Sequence, residues 1–112
     1  MSLGWGIHTA SSAAITDSNA YLGVQNNMVS IDLSGHKVAW TFPAEDIVSS
    51  SPVVTGGAVF FGSYDGHVYA LNSATGEKLW DYTTGEKITS SPAVADGVLY
   101  IGSHDGKLYA FD

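Results

Sequence analysis

The chain has no cysteine and no arginine. Without cysteine there are no disulfide staples, no thiolate nucleophiles and no cysteine-based zinc sites, and the redox compartment stays open. Four lysines face eleven acidic residues, for a net charge of −7. A protein that grips a phosphate backbone needs a basic stripe, and an anionic bilayer surface attracts the same feature. Neither nucleic acid nor a membrane surface is expected as a partner. No stretch approaches the roughly 20 apolar residues of a membrane span. The opening MSLGWGIHTA has no positive n-region and no apolar core, so it does not read as a signal peptide. Helical spacing of apolar residues is also missing, and almost no helix is expected. The 112 residues suffice for one ordinary domain with a core.

What the chain does have is repetition. Shifted by 40 residues, VSSSPVVTGGAVFFGSYDGHVYALN (48–72) lies on ITSSPAVADGVLYIGSHDGKLYAFD (88–112) without a gap. Shifted by 39, SSAAITDSNAYLG (11–23) lies on SSPVVTGGAVFFG (50–62). A period near 40 means that each unit is one supersecondary element unable to bury its apolar surface alone.

The middle unit shows what each repeat builds. Ser50–Thr55 is a β-branched run in which Pro52 suits a strand start, because it has no N–H to donate. Gly56-Gly57 makes a tight turn into a second strand, Ala58–Ser63. Asp65-Gly66 is expected to supply the positive φ values of a two-residue hairpin into His67–Asn72. Ser73–Gly76 is a turn cluster before a fourth strand, Lys78–Thr84. The fold class is therefore all-β, each repeat a four-stranded antiparallel meander.

Facing narrows the architecture. Ala58–Phe61, Val68–Leu71 and Val98–Ile101 are apolar at every position. A sheet with one wet face would alternate instead. Inner strands apolar on both faces imply small sheets stacked face to face around an axis, as in propeller blades. The outer strand does alternate, with Lys78, Trp80 and Tyr82 expected on one face and Leu79 and Asp81 on the other. Trp40 and Trp80 recur at the same point of the fourth strand, as blade-to-blade cores and not ligand platforms. Gly23, Gly62 and Gly102 recur at the end of the second strand, where a glycine usually marks close backbone approach.

The run S-S-P-x-V-x-x-G-x-x-[FY]-x-G-S-x-D-G-x-[VL]-Y-A-[LF]-[ND], followed by T-G-E-K-x-W, resembles the PQQ-like repeat. Ser50–Gly76 with Trp80 carry it, and Ser90–Asp112 carry it again. Residues 11–40 are a weaker copy, with Ala13 for the proline and Asn26-Asn27 for Asp-Gly. The resemblance implies a β-propeller, commonly of seven or eight blades. Such propellers occur in quinoprotein dehydrogenases, in an outer-membrane-assembly lipoprotein and in sensor domains fused to serine/threonine kinases. It also favours the cell exterior or periplasm. A repeat identifies a scaffold and not an activity.

Residues 1–112 then form a single repeat domain of about 2.7–3 blades. Blade 1 covers about 8–43, blade 2 about 47–84 and blade 3 about 88–112. Leu3–Ile7 is a candidate for the missing fourth strand of blade 3, with Trp5 in the docking position. Trp5, however, lies 6 residues before Ser11, whereas Trp40 and Trp80 lie 10 before Ser50 and Ser90. Three blades cannot close a ring, so two open blade faces, and self-association or membership of a longer propeller, are expected.

Chemistry should break the repeat, because a residue type present in every copy is structural. Ser11-Ser12, Ser50-Ser51 and Ser90-Ser91 are equivalent, which argues against a catalytic serine. Asp65-Gly66 and Asp105-Gly106 are turn elements and lack the dense oxygen spacing of a calcium loop. The departures fall in the hairpins between second and third strands and in the joins between blades. Both loop types project from one end of the blades. That end would carry Tyr64, His67, His104, Lys107, Glu45 and Asp46, the candidate binding face. His8, His36, His67 and His104 share no metal-ligand spacing, although His67 and His104 come from neighbouring hairpins. Glu45-Asp46 has no evident desolvating partner for acid–base work.

The leading expectation is a non-catalytic scaffold or sensor module for a protein or peptide, without a cofactor and part of a larger repeat protein. One alternative is a quinoprotein dehydrogenase holding PQQ with calcium. The resemblance implies that this needs a calcium-ligating acid and asparagine, a catalytic aspartate, a cation against the quinone and often paired cysteines. The second alternative is binding of a polysaccharide or small polar ligand through exposed aromatics.

Overall fold

Eleven short strands follow one another from Ala14 to Phe111, and no helix occurs among the described residues. A computed structural model describes residues 13–48 and 50–112. The first sheet holds β1 (Ala14–Ile15), β2 (Asn19–Val24), β3 (Asn27–Asp32) and β4 (Lys37–Pro43). The second holds β5 (Val53–Thr55), β6 (Ala58–Gly62), β7 (His67–Asn72) and β8 (Lys78–Thr83). The third holds β9 (Ala93–Ala95), β10 (Val98–Gly102) and β11 (Leu108–Phe111). Every sheet is an antiparallel meander in sequence order. The all-β propeller-blade architecture expected from the repeat is the one observed. Trp5, His8 and the Leu3–Ile7 strand expectation lie outside the described residues.

Turn chemistry divides the hairpins into two kinds. Gly56 and Gly57 have φ of 59° and 80°, and Asp96 and Gly97 have 52° and 77°, so both two-residue turns carry the paired positive φ that suits strand twist. The expectation of the same turn at Asp65-Gly66 is wrong. Only Gly66 is positive, at 85°, and the connection is the longer Ser63–Gly66. Gly66 N–H donates to Ser63 C=O at 3.1 Å, and Ser63 N–H donates to His67 C=O at 3.2 Å. The left-handed glycine ends a β-turn instead of forming half of a two-residue loop. This leaves Asp65 in an ordinary conformation with its carboxylate free to reach other loops.

Alternation along the inner strands builds two cores from one sheet. Val59, Phe61, Tyr69 and Leu71 of the second sheet meet Tyr21 and Met28 of the first, with Ala44 and Val48 from the join. Phe60 and Val68, on the opposite face, meet Leu99 and Ile101 of the third sheet, with Ile88 from the next join. Burying such side chains contributes about 1.5–3 kcal/mol each before entropy is counted. The outer face of the first sheet is not bare: Ala20, Leu22, Val29 and Ile31 form a buried cluster with Val24 and Leu33 beside it. Of the two open blade faces expected, only the one at the third sheet is seen.

The outer strands contain a feature that simple alternation hides. Ser30 pairs with Trp40 and Ile31 with Val38, while Ala70 pairs with Trp80 and Leu71 with Lys78. Ala39 and Leu79 are therefore the extra residues of matching β-bulges. The bulge moves Lys78 off the Trp80 face and onto that of Asp81, to which its Nζ lies at 2.6 Å. Trp40 Nε1 donates to Ser73 C=O at 3.0 Å, and the Trp40 ring covers Gly76, where a Cβ would sit 2.5 Å from it. Trp40 thus seats the first sheet on the β7–β8 turn of the second.

The strand-end glycines are not equivalent in space. A Cβ on Gly62 would fall 2.3 Å from Ile88 Cγ2, whereas one on Gly102 would meet only Ser90 Oγ at 3.6 Å. The close approach expected at both positions occurs at Gly62, because a following join drives Ile88 into it. No such join bears on Gly102 among the described residues. Gly23 is buried at the matching place in β2.

Candidate functional site

The hairpins between second and third strands and the joins between blades meet at one end of the molecule. Tyr64 N–H donates to Ile47 C=O at 2.8 Å, and His104 N–H donates to Lys87 C=O at 3.0 Å. Each join is also held from below. Ser63 Oγ donates to the carbonyls of Asp46 and Ile47, and Thr84 Oγ1 lies 2.8 Å from those of Gly66 and Glu86. Ser103 Oγ donates to Glu86 C=O at 3.2 Å.

A hairpin aspartate completes each clasp. Asp65 Oδ2 accepts from Glu45 N–H at 3.0 Å and from Tyr69 OH at 2.6 Å, while its Oδ1 accepts from His67 N–H at 2.9 Å. Asp105 repeats this, accepting from Gly85 N–H at 3.0 Å, Tyr109 OH at 2.5 Å and Lys107 N–H at 2.9 Å. The Tyr109 hydroxyl and the two backbone donors hold the Asp105 carboxyl below the usual carboxylate range, against a smaller opposing effect of desolvation. Tyr109 is raised in turn, first by its bond to Asp105 and then by burial. Tyr69 is raised well above an ordinary phenol, by burial first and then by Asp65. Both tyrosines act as neutral donors to a carboxylate.

Around these clasps the repeat-breaking residues point outward. Glu45 and Asp46 are exposed in the first join. Asp46 Oδ1 accepts from Ile47 N–H at 2.7 Å. Ile47 itself is 41% exposed. Tyr64 is half-buried, with Lys87 Nζ 5.2 Å from its ring centroid, a cation–π distance. His67 starts β7, its Nδ1 3.3 Å from Thr83 Oγ1 and its ring stacked loosely against Tyr69. His104 is exposed, its Nε2 2.8 Å from Thr89 Oγ1. Lys107 is exposed at the rim. The two histidines take separate threonine partners and do not form a pair. Lys87, Ile47, Ser63, Thr84 and Ser103 were not singled out from the sequence. The S-x-D-G pattern at 63–66 and 103–106 was the signal available for the serines. Lys87 and Ile47 join the face only because the loops cross.

Among the described residues no three of His, Asp or Glu gather as a metal would require. Each hairpin carboxylate accepts three hydrogen bonds from within the chain. No helix among the described residues is long and apolar enough to cross a membrane.

A family model described as "Outer membrane protein assembly factor BamB" matches residues 1–112. The chain is 30% identical over 87 residues to "Lupanine 17-hydroxylase [cytochrome c]" of a Pseudomonas species, covering 67% of this chain and 12% of that protein. It is 32% identical over 68 residues to "Serine/threonine-protein kinase AfsK" of Streptomyces griseus, covering 55% of this chain and 8% of the kinase. BamB from Moraxella catarrhalis superposes with a TM-score of 0.80 at 21% identity, over 93% of this chain and 33% of that one. The last likeness speaks for the fold alone. The chain spans a small part of each relative's length. With its three stacked meanders and the S-x-D-G clasp that ties each to the last, the chain belongs to the PQQ-like propeller family of the outer membrane protein assembly factor BamB.

Proposed function

We propose that the chain is a non-catalytic propeller module that holds a protein or peptide on its loop end. The supporting observation is the division of labour there. The repeated polar groups are engaged in clasping hairpin to join, and the residues left facing outward are those that differ between repeats. Tyr64 under Lys87, exposed Ile47 and the acidic Glu45-Asp46 pair offer apolar, cationic and anionic features on one rigid surface. Loops fixed on such a scaffold are good recognition surfaces. The net charge of −7 favours a partner with basic segments.

The module works within a larger ring, beside copies of itself or further repeats, on the extracytoplasmic side. The outer-membrane assembly named in the family description supports that location. The test is capture of partners from an extract by the chain and by a Tyr64→Ala/His104→Ala double variant. A partner held by the first and lost by the second supports the face. Equal capture by both removes it.

The likeness to lupanine 17-hydroxylase favours a second reading, a portion of a quinoprotein enzyme. That reading expects a calcium-dependent quinone absorbance and dye reduction. A preparation with neither, after exposure to PQQ and calcium, would exclude it.

A further inference from the structure

The sequence contains three Asp-Gly steps, at Asp65-Gly66, Asp96-Gly97 and Asp105-Gly106. Such a step is especially open to attack by a backbone nitrogen on the side-chain carboxyl, because glycine has no Cβ to obstruct the approach. Two of the three are held shut. The Asp65 and Asp105 carboxylates each accept three hydrogen bonds. The nitrogens that would attack them are engaged as well. Gly66 N–H donates to Ser63 C=O and Gly106 N–H to Ser103 C=O, both at 3.1 Å.

Asp96-Gly97 is built differently. It is the two-residue turn between β9 and β10, with both φ values positive. Asp96 and Gly97 are exposed. Neither the Asp96 carboxylate nor the Gly97 N–H has a hydrogen-bond partner among the described residues. A Cβ on Gly97 would meet nothing within 4 Å, so the space around this turn is open. A covering neighbour would not close it. The matching turn of the second sheet, Gly56-Gly57, is exposed although that sheet is buried on both faces. In the first sheet the matching turn reads Asp17-Ser18, where the serine Cβ crowds the approach.

We propose that Asp96-Gly97 is a site of spontaneous aspartyl isomerisation, and that the clasp protects Asp65 and Asp105 from the same reaction. The Gly97 nitrogen bonds to Asp96 Cγ, and the amide proton and the carboxyl hydroxyl leave together as water, closing a cyclic succinimide. Water then opens the ring. Cleavage of the new N–Cγ bond restores aspartate. Cleavage of the bond between that nitrogen and the Asp96 backbone carbonyl carbon leaves the chain running through the side chain, with the α-carboxylate free. The water lost in the first step is regained in the second, and no oxidant, reductant or co-reactant is needed. The product carries an extra methylene in a turn whose two residues must both hold positive φ to match the strands. The Val98↔Ala95 pair at the base of the turn is the first to suffer, and β9 is only three residues long. The free α-carboxylate makes the product a substrate for carboxyl methylation by an L-isoaspartate methyltransferase. The turn lies at the opposite end of β10 from Gly102 and the loop end, so the proposed partner face and this site can fail separately.

The intact chain is held at neutral pH and body temperature, folded and in urea, and sampled over weeks. Peptide mapping with electron-transfer fragmentation locates isoaspartate, and methyl transfer from S-adenosylmethionine by an L-isoaspartate methyltransferase measures its amount. In urea all three Asp-Gly steps should react, which gives each site its own reference rate. In the folded protein Asp96 should keep most of that rate. Asp65 and Asp105 should be slowed about tenfold or more, because reaction there must first break hydrogen bonds to a carboxylate. Asp96→Gly gives the turn the Gly-Gly pair that the second sheet already carries, and it should remove nearly all methyl acceptance from the folded protein. Three results would overturn the proposal: slowing of Asp96 as great as that of the other two, isoaspartate appearing first at Asp65 or Asp105 in the folded protein, or undiminished methyl acceptance in Asp96→Gly.

Discussion

Asp105 and Asp65 show how one side chain turns separate loops into a surface. Each carboxylate accepts three hydrogen bonds, one of them from a join that arrives from the preceding blade. Removing such an acceptor strands buried or half-buried donors. Asp65→Ala should lower stability by about 2–3 kcal/mol in denaturant unfolding, more than Asp46→Ala, whose carboxylate caps only its own neighbour. The pH dependence follows from the same bonds. Asp105 lies below its unfolded value, so its contribution is complete above the ordinary carboxylate range and disappears as pH falls through the folded value, below about 4. Tyr109 is raised, so its contribution is complete below about 10 and disappears as pH rises through its higher folded value. Thermal midpoints measured across pH should therefore fall at both extremes, and Asp105→Asn should flatten the acid side. The glycines give a sharper contrast. Gly62→Ala should cost about 1–3 kcal/mol, because its new Cβ meets Ile88, while Gly102→Ala should be nearly neutral. Unfolding curves of the two variants check this, and Ile88→Ala should soften the first effect.

Strand by strand, the tryptophans do unequal work despite their equal spacing. Trp40 covers Gly76 and donates to Ser73, whereas Trp80 lines a cleft. Trp40→Ala should cost about 3–5 kcal/mol, the usual range for emptying an aromatic site, and Trp80→Ala about half as much. Chemical denaturation of both variants tests the order. The strands were legible because Gly-Gly, Asp-Gly and Thr-Gly punctuation falls between apolar runs, and because inner strands without polar positions have only stacked sheets to bury them. The bulges at Ala39 and Leu79 were not. A bulge arises from pairing with a neighbouring strand, and nothing in K-L-W-D-Y read alone places Lys78 beside Asp81. The Ser63–Gly66 loop was misread for a related reason. Asp-Gly suits a two-residue turn, but here Asp65 is drawn into a longer loop by donors from Tyr69 and from Glu45, the second of which is distant in sequence.

Across the three blades, order should fall from the second outward to the third. The second sheet is buried on both faces, and β11 has a neighbour on one edge alone among the described residues. Hydrogen exchange should be slowest at Val59–Phe61 and Val68–Leu71 and faster at Leu99–Ile101 and Tyr109–Phe111, since opening free energy follows buried apolar surface. Equal protection across both sets would contradict this gradient. The candidate face divides along the same line between near and far. Tyr64, His67, His104, Glu45 and Asp46 could be picked out as departures from a repeat, because a repeat is a statement about order along the chain. Periodicity with two-faced apolar strands was enough to determine stacked antiparallel meanders, for each unit has no other way to remove its apolar faces from water. Tertiary structure alone decided that Lys87 lies over Tyr64, that Ile88 rather than a neighbouring strand occupies the space at Gly62, and that Trp80 stands over an open cleft. Those outcomes depend on which loops cross and which face lacks a neighbour, and such distances through space are not encoded in spacing along the chain.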